Sequence, residues 1–246
     1  MSAISLTVDV LRSFREPGAP TAPGARPATP PPDAIGPPVP LPAAAAPRPG
    51  LLAEVLTHRR AIRHFRAEPV DLATLLGAVA DGMAADRARW PGEHPLIPVL
   101  VAQHVAGLPP AVYRLDPGGA TATPVMALAG RAAYEELTLQ KEFATAGAIV
   151  SLLGDLDAAD SAHGGAGYRT LMTRAGGAGY QMWLSAISHG LVGSVFAGFL
   201  PAAVRTPLRC DGVTRHQLFA LAVGPPGADP STSAGTGPAD VPQERG

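Results

Sequence analysis

Thirteen prolines fall within the 34 residues from Pro17 to Gly50. Proline lacks an amide donor and fixes φ, so neither a helix nor a central strand can run through this stretch. It reads as an extended, poorly ordered Pro/Ala linker. The short patterned piece ahead of it, Leu6 to Phe14, suits a small strand or helix that docks on something larger. A second break comes at the other end, where Pro225 to Gly246 is rich in Gly, Pro, Ser and Thr and reads as disordered. The expected organisation is an N-terminal segment and linker over residues 1–50, one folded domain over 51–226, and a tail over 227–246.

The domain is long enough for a sizeable core, and 46% of the whole chain is apolar. Nineteen basic residues balance 20 acidic ones, for a net charge of −1. That balance speaks against a nucleic-acid partner. The single cysteine, Cys210, excludes an intrachain disulfide and a cysteine-rich zinc site. No histidine pair has metal-ligand spacing, so no metal is expected. No segment reads as a signal peptide or a spanning helix, and a soluble cytoplasmic protein without a membrane partner is the default expectation.

Within the domain, helices are expected at Leu51–Arg60, Asp71–Met83 (Asp71 as N-cap), Arg131–Phe143 and Tyr168–His189. Strands are expected at Pro98–Val105, Ala111–Leu115, Ala148–Leu153 and Phe219–Val223. The mixture lacks a strict βαβ rhythm, which predicts α+β architecture. The long helix at Tyr168–His189 is full of small and apolar residues and reads as buried nearly all round, in a core or an oligomer interface.

Arg59, Arg60, Arg63 and Arg66 lie within eight residues. Three guanidinium forks can hold a phosphate dianion by paired hydrogen bonds; a solvated basic helix end explains the same charges. The runs Gly164-Gly165-Ala166-Gly167 and Gly176-Gly177-Ala178-Gly179 do not complete a dinucleotide fingerprint. Small residues in the second run allow close helix approach. Ser185, Ser188 and Ser194 lack a nucleophile elbow. Gly190 to Phe199 is Gly-punctuated and apolar; it suits either close approach to a flat ligand or a tight helix-to-strand connection.

In order along the chain, these pieces resemble the flavin-dependent nitroreductase superfamily, and within it the azoline dehydrogenases of thiazole/oxazole peptide biosynthesis. The segments carrying the resemblance are Arg59-Arg60-Ala61-Ile62-Arg63-His64-Phe65, His94-Pro95-Leu96, and Val105-Ala-Gly-Leu-Pro-Pro-Ala-Val-Tyr-Arg-Leu-Asp-Pro117. Three more follow: Gly167-Tyr168-Arg169 with Ala175-Gly176 and Gln181, Gly190-Leu191 with Ala197-Gly198-Phe199, and Leu218 to Pro226. The resemblance implies an α+β nitroreductase-like fold with a mixed central sheet flanked by helices. It implies a homodimer with FMN at the interface, where the long helix meets its mate. Arg59, Arg60 and Arg63 then hold the phosphate, and the backbone of Val195, Phe196, Ala197 and Gly198 lies along the isoalloxazine. The implied reaction is oxidation of azoline rings to azoles in a ribosomally made peptide.

The chain departs from that pattern at several points. Ala61 stands where serine is usual, Pro225 where an arginine is usual, and Arg174 where an acidic residue is usual. The segment Trp90-Pro-Gly-Glu-His94 is shortened and lacks its serine. The Lys-Tyr pair of the azoline branch falls near Ala162-His163, and the only lysine, Lys141, does not align. His163 is then the candidate base, since imidazole titrates near neutral pH, with Tyr168 second. Two other readings stand beside this one. One is an NAD(P)H-dependent nitroreductase of a small molecule. The other is a catalytically silent subunit that supports a cyclodehydratase or a second dehydrogenase.

Overall fold

A computed structural model describes residues 29–48 and 52–227. The Leu6–Phe14 piece and the tail beyond residue 227 lie outside the described residues. The chain runs β1 (Val39–Pro40), α1 (Leu52–His58), α2 (Leu72–Arg89), β2 (Ile97–Ala102), β3 (Ala111–Leu115), β4 (Thr121–Ala127) and α3 (Arg131–Glu135). It continues through β5 (Ala148–Gly154), α4 (Leu156–His163), α5 (Gly167–Ser188), β6 (Val192–Phe196), α6 (Pro201–Arg205) and β7 (His216–Gly224). One seven-stranded sheet has the order β1-β4-β3-β2-β5-β7-β6. Every strand ladder is antiparallel. The sheet, expected as mixed, has parallel pairing among the described residues only at the isolated bridges Ala61–Gly193 and Val70–Val105.

Alternation along the central strands builds two cores. In β2, Leu100 and Ala102 face α2 and α5, while Val99 and Val101 face the opposite layer around Phe143 and Leu208. β5 is buried along its whole length, as a strand covered on both faces must be. Helix α2 starts where Asp71 Oδ2 accepts from Thr74 N at 2.8 Å. It packs tightly on α5 because Gly82 has no side chain: a Cβ there would meet Met182 and come within 2.6 Å of the Ala178 carbonyl oxygen. The glycine run inside α5 therefore does serve close packing at Ala178, whereas Cβ atoms added at Gly176 or Gly177 would touch nothing.

Four expectations are corrected. The Pro/Ala stretch is not a free linker over residues 29–48. Ile35 N donates to Pro124 O, Leu41 N to Ala120 O and Ala45 N to Ala73 O, and Val39–Pro40 pairs with β4. Non-proline residues supply these donors, and β1 sits at the sheet edge, where a missing amide costs nothing in the ladder. The helix expected over Arg131–Phe143 stops at Glu135, and the chain resumes as a 3-10 turn at Lys141–Thr145. The Leu137 carbonyl is taken by Leu200 N at 2.7 Å instead of by a helical partner. The strand expected to reach Val105 ends at Ala102, because Gln103 N and His104 N both turn to Gly147 O. Finally, α5 is not buried all round: Arg169, Thr173, Gly177, Tyr180 and Gln181 form an exposed stripe.

Candidate functional site

The arginine cluster is stapled to the open edge of the sheet. Helix α1 ends at His58, and Arg59 N still donates to Val55 O at 2.9 Å. The chain then runs extended beside β6, where Ala61 bridges Gly193 and Ile62 N donates to Gly193 O at 3.0 Å. Phe65 bridges Pro226, and Arg66 N donates to Pro225 O at 3.2 Å. The side chains diverge from there. The half-buried Arg59 lays its guanidinium carbon 4.9 Å from the centroid of the Trp183 ring on the α5 side. Arg63 is exposed and meets Glu142 at 3.4 Å on the side of Phe143. Arg60 is exposed and has no carboxylate partner among the described residues.

The backbone beside this cluster is open. β6 is the last strand, and β7 covers only one of its edges. Since Gly193 O accepts from Ile62 N, alternation turns the N–H and C=O of Val195 to the same outer edge, while Ser194 and Phe196 bond toward β7. The Phe196 ring stacks on Phe143 with centroids 4.3 Å apart. Beyond the strand, Ala197 O accepts from Gln217 Nε2 at 3.1 Å, and Gly198 turns with φ of 122°. A Cβ at Gly198 would run into the Gln217 side chain. The structure thus brings Arg59, Arg60, Arg63 and Val195–Gly198 to one sheet edge.

The two candidate catalytic residues lie elsewhere. His163 ends α4 and Tyr168 opens α5, whereas Arg59 packs on Trp183 sixteen residues along that helix. From Gly167 to Trp183 the axis advances about 24 Å at 1.5 Å per residue. Within one chain, then, His163 and Tyr168 do not share a site with the arginines. His163 Nε2 is paired with Glu93 Oε1 at 2.8 Å, and Glu93 lies 3.6 Å from Arg174 Nη1. Arg174 in turn is bound to Asp86. Asp86, Glu93 and Arg174 wall one side of a cavity of about 580 Å³ between α2, the arm at Leu41–Ala44 and the Leu115–Gly119 turn.

Reading the residues alone missed three partners. Asp86 lies beyond the expected end of α2, Glu142 looked like part of an amphipathic helix, and Trp183 was one apolar residue of a long helix. The cationic Arg59 packed against it, together with a buried indole N–H that has no hydrogen-bond partner among the described residues, marks Trp183 out.

The donor set suits a flavin mononucleotide. Arg59, Arg60 and Arg63 supply guanidinium groups of the kind that bind phosphate along this strand edge, Arg59 turned to the Trp183 side and Arg63 to the Glu142 side, and Arg60 has no carboxylate partner among the described residues. The exposed Arg63–Glu142 pair is weak enough to yield to a stronger anion. The outward amide of Val195 offers a backbone donor to a ring lying along the strand edge, while the space beside Gly198 is taken by the Gln217 side chain.

No curated protein matches the chain. Among solved structures, a nitroreductase-type protein from Anabaena variabilis ATCC 29413 superposes with a TM-score of 0.61 at 21% identity, over 71% of this chain and 38% of that one. This chain therefore spans well under half of that protein's length. The E. coli microcin synthetase McbBCD complex gives a TM-score of 0.55 at 16% identity, over 73% of this chain and 77% of that one. A nitroreductase-type protein from Exiguobacterium sibiricum 255-15, in complex with FMN, gives 0.51 at 12% identity, over 80% and 96%. These likenesses establish the fold. The model of the Nitroreductase family matches residues 56–224, from the last three residues of α1 to the end of β7, and so takes in both the arginine cluster and the β6 edge. The chain belongs to the Nitroreductase family.

Proposed function

We propose that this protein is an FMN-dependent oxidoreductase that oxidises azoline rings to azoles in a ribosomally made peptide. The observation that carries the reading is the stapling of Arg59–Arg63 to the open edge of β6 through the Ile62 N to Gly193 O bond. That bond sets phosphate-binding cations beside a free strand edge. Arg59, Arg60 and Arg63 hold the phosphate there. The outward N–H of Val195 is the amide that meets the flavin ring, with Phe196, Ala197 and Gly198 lining it. When bound, FMN supplies the acceptor for the hydride leaving the azoline carbon, with dioxygen as the terminal oxidant. The sequence motifs point to the peptide substrate, and the likeness to a chain of a peptide-modifying synthetase complex is consistent with them.

The protein works as a homodimer in this reading. The exposed Leu52 and Leu56 of α1 and Tyr180 of α5, set among the polar residues of the exposed α5 stripe, supply a mixed apolar and polar face that a second copy covers. His163 or Tyr168 reaches the substrate only from that second copy, because α5 separates them from Arg59 within one chain.

The test is a visible spectrum with and without FMN, followed by incubation with an azoline-containing peptide. A bound flavin band and loss of a dihydrogen equivalent per ring support the proposal. Bleaching by NAD(P)H with no peptide oxidation replaces it with a small-molecule nitroreductase. Absence of flavin together with a firm complex with a cyclodehydratase or a second dehydrogenase replaces it with a silent subunit.

A further inference from the structure

Arg59 and Arg63 are held by different chemistry. Arg63 Nη1 faces Glu142 Oε1 at 3.4 Å, which occupies part of the rim of its guanidinium. Arg59 has no carboxylate partner among the described residues and lies over the Trp183 ring. A guanidinium drawn to an aromatic ring keeps its N–H donors for an anion, whereas one facing a carboxylate shares them with it. Trp183 is a firm support, only 3% exposed within the core shared by α2 and α5, with the Tyr180 ring edge-on at 6.0 Å. Its Nε1 is buried and has no hydrogen-bond partner among the described residues. An unpaired buried donor makes tryptophan a poor choice for packing alone, since leucine or phenylalanine fills such space without one. What the indole adds is the strongest ring face for a cation.

We propose that Trp183 is a positioning residue that holds the Arg59 guanidinium over its ring and so keeps the N–H donors of Arg59 free for the phosphate monoester of the cofactor. This rests on the reading of Arg59 as a phosphate ligand.

The experiment measures the affinities of FMN and riboflavin for the full chain and for the variants W183F, W183L, R59A and R59A/W183L. Riboflavin lacks the phosphate. W183L is expected to weaken FMN about five- to thirtyfold while riboflavin stays within about twofold, with W183F in between. R59A/W183L is expected to bind FMN no more weakly than R59A alone. Equal losses of FMN and riboflavin in W183L would show a packing role only and overturn the proposal, as would losses that multiply in the double variant. Thermal unfolding checks that each variant folds; if W183L does not, W183F and the emission measurement below decide.

In a W90F chain Trp183 is the only tryptophan. Its emission is expected to change on adding inorganic phosphate, and not to change when R59A is also present. A W90F chain whose emission ignores phosphate overturns the proposal. A wild-type chain that binds FMN and riboflavin alike removes the phosphate reading itself. A phosphate-selective wild type whose selectivity survives W183L removes only the role of Trp183.

Discussion

Arg174 on α5 binds Asp86 on α2 through two parallel hydrogen bonds, Nε to Oδ1 at 3.1 Å and Nη2 to Oδ2 at 2.9 Å, with both side chains buried. Nη2 also donates to His94 O at 3.0 Å, and Glu93 joins Arg174 to His163. The arginine that departs from the family pattern thus ties α2, the Trp90–His94 turn and the end of α4 to the long helix. Removing one member of a buried pair strands the other charge, at about 3–5 kcal/mol. R174A should therefore lower the melting temperature by about 6–20 °C, at about 2–4 °C per kcal/mol for a chain this size. R174L/D86L, which removes both charges, should recover much of that loss. A drop of about 1 °C in R174A would contradict the assignment.

The proline-rich arm should come loose in acid. Burial works against ionisation of Asp211. It is outweighed by the amides of Arg215 and Val213 and the hydroxyls of Thr29 and Thr214, which hold the carboxyl well below the usual range. Arg215 adds bonds from its guanidinium to Pro30 O and Thr29 O. A carboxylate with a depressed folded-state pKa stabilises the fold above its unfolded value near pH 4, and loses that contribution as the pH falls toward the folded value. Hydrogen exchange of residues 29–41 should be slow at neutral pH and quicken below about pH 4 before the central strands open. D211N should show fast exchange of the arm already at neutral pH. Unchanged protection in D211N would remove Asp211 as the anchor.

Cys210 should be inert. Burial pushes its thiol up to about 11, with Asp211 adding to the rise and Arg215 opposing it. At pH 7 almost no thiolate is present to attack a reagent. A chromogenic disulfide reagent should leave the native protein unmodified and titrate one thiol after denaturation. Rapid labelling of the native chain would show that the pocket around Cys210 opens.

Gly198→Ala should damage the strand edge. A positive φ of 122° strains any side chain, at about 1–3 kcal/mol, and the new Cβ would meet Gln217. G198A is expected to melt lower and to retain less flavin than the wild type. Adding Q217A should recover part of the stability by removing the collision, but not the backbone strain. A G198A protein with wild-type melting and flavin retention would show that the turn tolerates a side chain.

The sequence showed most where pattern and chemistry are local. The apolar run Ala148–Leu153 became a strand extended by one residue to Gly154, Ala111–Leu115 is β3 as expected, and Asp71 does cap α2. Local pattern failed where distant contacts decide. β4, which contains Pro124, is not among the expected strands, yet Tyr113 pairs with that proline across a bulge, and the Pro124 carbonyl receives the arm through Ile35 N. β6 was hidden among its glycines; Gly193 is needed there because a Cβ would meet the Ala222 carbonyl of β7. The arginines were legible as charges, but not the divergence of their side chains toward Trp183 and Glu142, partners more than 75 residues away in sequence. His163 drew notice as a titratable group beside a gap in the family pattern; the fold gives that histidine to Glu93.

The most direct measurement compares FMN retention by the wild type, R59A and R87A after gel filtration, read by visible absorption. Arg87 is exposed on α2, away from the β6 edge. The account predicts a flavin band near one FMN per chain in the wild type and R87A, and a large loss in R59A. A wild type that stays colourless after incubation with FMN, or equal retention in R59A and R87A, would contradict it.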